Sequence, residues 1–229
     1  MGNESSSYRE RVYEHAIDAH GYVTTKDAAE IGVPAVELRK LASRGFLDRV
    51  GHGVYRVGMI PRSDRDEFAE AVELVGEDAY LRADTVLALL NLAPVNTRAI
   101  RVGTPHRVRR SLPREVEVVH EELPAADLTE YEGIRSSRIE RALLDSRGIV
   151  MVDRLNDATD RAQREGYLSA SAARAVREQL RRGNGVKEST VRTAKGRGKA
   201  VIKAGGRSSK EAVLKAEKTV AAVKGGNKK

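Results

Sequence analysis

Five cations crowd one short stretch near the N-terminus: Arg39, Lys40, Arg44, Arg49 and Arg56, opposed only by Glu37 and Asp48 nearby. Guanidinium and ammonium groups at that density suit phosphate oxygens, which they meet through charge-assisted bonds while releasing counterions. His52 sits among them in the run GHG. A second basic run, TPHRVRRSLPR from Thr104 to Arg114, carries His106, Arg107, Arg109, Arg110 and Arg114. Two readings of it stand side by side. It suits nucleic acid or an acidic partner surface, with Arg107, Arg109 and Arg110 the candidates for a functional surface. It equally suits an exposed loop balanced by the acidic EVEVVHEEL that follows.

The residues that carry catalysis elsewhere make weaker patterns. His15, His20, His52, His106 and His120 are scattered, and none forms a metal-binding pair at helical i, i+4 spacing. GRGKAVIK lacks both the leading glycine and the Ser or Thr of a phosphate-binding loop, and no Gly-x-Ser-x-Gly elbow occurs. Asp145, Asp153, Asp157 and Asp160 invite a carboxylate site, because the last three share a helical face. With Arg154, Arg161 and Arg164 close by, they read instead as a salt-bridged surface helix. No catalytic residue, metal or cofactor is expected.

The cations must be held by something rigid, and the flanking residues describe it. Ser7 and Glu10 have capping-box spacing, and Val12, Ala16 and Ala19 share one face of the helix they open, which Gly21 closes. Thr24 and Asp27 open a short helix ending at Gly32. Pro34 then starts a third helix, closed by Gly45, with Leu38 and Leu41 inward. RGFLDRVGHGVYRVG follows, two short β-runs about Gly51-His52-Gly53, whose glycines permit the positive φ of a tight hairpin. Three short helices, a tight turn and a hairpin are the order of a winged helix-turn-helix. On this reading Ala35 and Glu37 lie near base edges, and Lys40 and Arg44 reach bases or backbone. Arg39 stands on a more ambiguous face. His52 at the wing tip, with Arg49 and Arg56 below it, meets phosphate or the minor groove. The competing reading is a solvated basic helix beside a hairpin, serving as a protein platform. The neutral balance of residues 1–60 supports that alternative, and against it stands the concentration of five cations between Arg39 and Arg56, opposed only by Glu37 and Asp48.

Beyond Ile60 the pattern changes. Ser63 is expected to cap DRDEFAEAVELVG, LRADTVLALLNL reads as a buried helix, and AIRVGTP and EVEVVHEEL read as strands. Ser137 and Glu140 have capping spacing before another helix, and two closing helices follow. The expectation is a mixed α/β (α+β) chain: a winged helix over 1–59, an α/β body over 60–182 and a Lys/Gly-rich tail over 183–229.

The net charge of +8 over 229 residues divides unevenly. Residues 181–229 hold fifteen Lys and Arg against three Glu, whereas residues 61–180 hold eighteen Arg against twenty-two acids. Such a tail, without aromatic residues, is expected to be largely flexible and suits a non-specific phosphate-binding arm or a mere spacer. Within it, Val213, Ala216, Val220 and Val223 share one face of a short basic amphipathic segment. Cysteine is absent, no apolar run approaches a membrane span, and MGNESSSYRERVYEH lacks a signal peptide's apolar core. A cytoplasmic protein without membrane association is expected.

The stretch GYVTTKDAAEIGVPAVELRKLASRGFLDRVGHGVYRVG resembles the winged-helix segment of AbiEi-family antitoxins from type IV toxin–antitoxin systems. The resemblance lies in the Gly-x-Val-Thr opening, the Ala-rich second helix, Gly-Val, Leu-Arg-x-Leu, and the closing Gly53-Val54-Tyr55-Arg56. It continues through LRADTVLALLNL, AIRVGTPHRVRRSLP and VEVVHEELPAADLTEYEGIRSSRIERALLD. The resemblance implies a winged helix that binds double-stranded operator repeats and represses its own operon. It also implies a body that counteracts a nucleotidyltransferase-like toxin without a stable complex. The residue assignments carried over are those of the third helix and wing. The alternatives are a plain winged-helix regulator with a dimerising or ligand-sensing body, and a nucleic-acid-processing enzyme with a DNA-reading N-terminus. Against the enzyme, the acidic EVEVV lacks the lysine of a nuclease-type Glu-x-Lys pair.

Overall fold

The computed structural model describes residues 7–94 and 99–182. The tail after Arg182, with its amphipathic segment, lies outside the described residues. The chain runs α1 (Tyr8–Asp18), β1 (Tyr22–Thr24), α2 (Thr25–Glu30), α3 (Ala35–Ser43), β2 (Leu47–Gly51) and β3 (Val54–Val57). Then come α4 (Asp66–Val75), β4 (Tyr80–Leu81), α5 (Asp84–Leu89), β5 (Ile100–Thr104) and β6 (Val116–His120). The hairpin β7 (Leu128–Tyr131) and β8 (Ile134–Ser137) precedes α6 (Ile139–Asp145), α7 (Val152–Arg164) and α8 (Ala170–Arg181). The fold is mixed α/β with two separate sheets.

Local chemistry sets the N-terminal elements. Ser7 and Glu10 form a reciprocal capping box on α1, and Thr24 and Asp27 form another on α2, each covering helical amides that lack intrahelical acceptors. Pro34 stands at the N-cap of α3 rather than inside its first turn. β1, β3 and β2 make an antiparallel sheet in that order, with β2 and β3 joined by the two-residue turn His52-Gly53.

All four residues of β3 are buried, which a wing open to water on one side does not produce. The alternation of side chains explains it. Val23, Tyr55 and Val57 join Val12, Ala16, Leu38 and Leu41 in one core. Tyr22 and Val54 point the other way, into a second core with Phe68, Ala69 and Val72 of α4. Helix α4 packs so closely that a Cβ at Gly51 would collide with the side chain of Leu74.

The larger sheet runs β6-β5-β4-β8-β7, an order that the residue pattern does not supply. Its centre, β4, is only two residues long, antiparallel to β5 and parallel to β8. The β7–β8 hairpin goes beyond the two strands expected of the body. It turns on Glu132-Gly133, both at positive φ (54° and 75°), so Glu-Gly fills the place more often held by Asn-Gly.

Two expected caps are absent. Helix α4 begins at Asp66, and Ser63 instead donates its backbone N–H and hydroxyl to the Asp66 carboxylate, each at 2.8 Å. Helix α6 is flanked by Arg138 with no side-chain cap, because Ser137 is buried in the paired end of β8. Helices α5, α6, α7 and α8 complete the second core with Leu87, Leu143, Leu155 and Val176.

Candidate nucleic-acid interface

Helix α3 buries Leu38 and Leu41 and turns Ala35, Val36, Arg39, Lys40, Ser43 and Arg44 outward. Its entry turn is held from behind. Gly32 adopts φ 70°, and Arg11 Nη1 donates to the carbonyls of Ile31 and Gly32 at 3.1 and 3.4 Å. Arg9 stacks on Phe46, 4.5 Å from the ring centroid. These two α1 arginines are therefore used as struts.

Along α3, Lys40 Nζ donates to Glu37 Oε1 at 2.8 Å, an i, i+3 pair that half-buries Glu37. Exposed pairs of this kind contribute little to stability, so the lysine can exchange its partner for a phosphate. Arg39 and Arg44 are exposed and meet no carboxylate among the described residues. On the wing, Arg49 Nε donates to the Gly51 carbonyl at 3.2 Å with its head group outward, and His52 is exposed at the tip. Gly53, at φ 74°, accepts the Thr25 N–H at 2.9 Å and thereby ties the wing tip to the start of α2.

Arg56 departs from the expected phosphate contact. Its residue is 3% exposed, and Nη2 donates to Asp66 Oδ2 and to the Ile60 carbonyl, each at 2.9 Å. On β3 it points toward α4, opposite to Tyr55, and is not available to a duplex. Burial alone would raise the Asp66 carboxyl. The Ser63 bonds and the Arg56 guanidinium outweigh burial and hold it below the usual carboxylate range.

The structure adds Val36 to the surface, an apolar residue 45% exposed on the outer face of α3. A signal for it lies in the sequence: Leu38 and Leu41 define the inward face, so Val36 falls outside it. The other sequence-predicted residues stay apart. Arg107, Arg109 and Arg110 are exposed, and Arg110 lies over Gly76, distant in the chain from α3. The histidines are not brought together: His15 approaches Asp27, His20 the Glu132 carbonyl, and His106 Asp78. Asp160 pairs with Arg177 of α8 and the half-buried Asp145 with Arg82 and Arg141, so the expected pairing of the α7 aspartates with Arg154, Arg161 and Arg164 does not form among the described residues. Among the described residues no cluster of three or more His, Asp or Glu is placed to hold a metal, and no helix is long and apolar enough to cross a membrane.

A helix-turn-helix with a three-stranded wing and an outward basic helix defines a winged-helix module. Residues 10–58 match the model of the family described as "Transcriptional regulator, AbiEi antitoxin". No curated protein matches the chain. Among solved structures, the crystal structure of RV2827C protein from Mycobacterium tuberculosis is similar over 76% of this chain and 82% of that one. It shares 17% sequence identity, with a TM-score of 0.35.

Proposed function

We propose that the chain is a cytoplasmic DNA-binding antitoxin. Its winged helix, residues 1–59, seats α3 in the major groove of operator repeats and represses its own operon. The body, residues 60–182, counteracts a nucleotidyltransferase-like toxin without a stable complex, as the family resemblance implies for a type IV system. The observation that carries the DNA half is the outward set Arg39, Arg44, Arg49 and His52, free of carboxylate partners among the described residues, on a segment that matches a transcriptional-regulator family. Ala35 and Val36 present small apolar surface suited to thymine methyl groups, and the Glu37 carboxylate suits a cytosine amino group. Lys40, Arg44 and Arg49 supply backbone charge, whose contacts position the helix without reading sequence.

The test is a mobility-shift titration on a duplex from directly upstream of the reading frame. Lys40→Ala and Arg44→Ala are each expected to weaken binding, and unchanged affinity in both would remove α3 from the interface. For the antitoxin half, co-expression with the product of the adjacent frame is scored by growth. Rescue by the full chain is expected, and its failure to rescue refutes antitoxicity and leaves a plain regulator.

A further inference from the structure

Strands β5 and β6 are parallel neighbours joined by eleven residues without a helix. Parallel strands need a crossover, and a helix usually supplies it. Here the crossover is the basic run His106–Arg114, lying as an extended strap. Val108 and Leu112 are half-buried against the core of the body, while Arg107, Arg109, Arg110 and Arg114 between and beside them are exposed. Alternating apolar anchors thus hold four guanidinium groups outward.

None of the four meets a carboxylate among the described residues, although acids stand close by. Asp78 is engaged by Arg135 at 2.8 Å and by His106 at 3.3 Å. Glu77 is engaged by Lys26 at 2.6 Å. Other body arginines nearby are paired: Arg101 with Asp84 and Glu117, and Arg82 with Glu121 and Asp145. Like charges crowded without counter-charges repel one another, so the fold gains nothing from this cluster unless an anion arrives from outside.

The strap's position indicates which anion. Arg110 lies over Gly76 at the C-terminal end of α4, where a Cβ would stand 3.0 Å from Nη2. Arg110 borders the same cleft as the wing-tip residues His52 and Gly53. Asp18, Asp27, Glu73, Glu77, Asp78 and Glu130 also line that cleft, so Arg110 stands beside the wing tip as a separate cation across an acidic cleft.

We propose that the strap from His106 to Arg114 is a second phosphate-binding element, gripping the backbone of the bound duplex beyond the wing. This inference rests on the DNA-binding reading of α3. An acidic protein surface is the competing occupant; the nearness of Arg110 to the wing tip, and the acids already lining the cleft between them, favour the duplex.

The experiment measures affinity of the full chain against salt concentration on the upstream duplex and on an unrelated duplex of equal length. Each phosphate contact contributes about 0.9 to the slope of log affinity against log salt. The triple variant Arg107→Ala, Arg109→Ala, Arg114→Ala is expected to flatten the slope by about 2–3 on both duplexes, leaving the preference between them unchanged. Restoring charge with Lys at the three positions should restore the slope, because a phosphate contact needs charge rather than a guanidinium fork. Lysine variants that fold yet bind like the alanine variant would overturn the electrostatic role. Thermal melting checks that each variant is folded. If the wild-type chain binds neither duplex, the reading of α3 fails. If it binds and the alanine variant keeps the wild-type slope, only the strap proposal falls, and an acidic partner takes its place.

Discussion

Arg56 and Arg49 sit seven residues apart on the two strands of one hairpin and do opposite things. Arg49 keeps its head group in water, whereas Arg56 is enclosed with Asp66 between the wing and α4. Removing one member of a buried ion pair leaves the other without compensation. Arg56→Ala should therefore cost about 3–5 kcal/mol in denaturant unfolding. Arg49→Ala should stay within about 0.5 kcal/mol while weakening DNA binding. Equal destabilisation by the two substitutions would refute this division. Glu73 provides the pH-dependent case. Burial, followed by the nearby Asp27 charge, raises its carboxyl to about 7. A raised acid costs stability as pH climbs from its unfolded value through its folded one. Glu73→Gln should thus stabilise the fold by on the order of 1–3 kcal/mol near pH 8 and leave it unchanged near pH 4. Melting curves at the two pH values decide it, and an equal effect at both contradicts the titration. Residue identity alone marks Arg49 and Arg56 as equivalent cations, because type and spacing do not say which face of a strand is covered.

Elements with strong local signals are legible in the residues alone. The capping boxes of α1 and α2, the glycines closing α2 and α3, and the β-branched runs of β5 and β6 all lie where their residues direct them. Elements held by distant partners are not. Strand β4 has two residues and exists because β5 and β8 flank it. Helix α4 begins at Asp66, whose carboxylate also holds Arg56 from a strand ten residues earlier. Gly51 shows the same dependence, being small for Leu74 rather than for its turn. Gly51→Ala should cost about 1–3 kcal/mol through overpacking. Gly45→Ala, at φ 75° with open space around it, should cost only the left-handed strain, about 1 kcal/mol. A reversed order of the two in denaturant midpoints would show that the wing does not press on α4.

The wing sheet belongs to two cores at once. One face closes over α1, α2 and α3, and the other, through Tyr22 and Val54, closes over α4. Polar bonds reinforce the second contact: Tyr22 Oη donates to Glu70 at 2.7 Å and His20 Nε2 to the Glu132 carbonyl at 2.8 Å. Residues 1–59 expressed alone would expose Tyr22, Val54 and Arg56 together. They should melt well below the full chain, and an equal melting temperature would show the α4 contact to be energetically idle. The order of elements through the wing, the outward face of α3 and the basic character of the strap were determined by the sequence itself, because caps, glycine punctuation and residue periodicity act within a few residues. The burial of Arg56, the five-strand order and the approach of the strap to the wing tip were decided only by tertiary structure. Each depends on which surface covers another across tens of residues, and local residue patterns carry no record of that pairing.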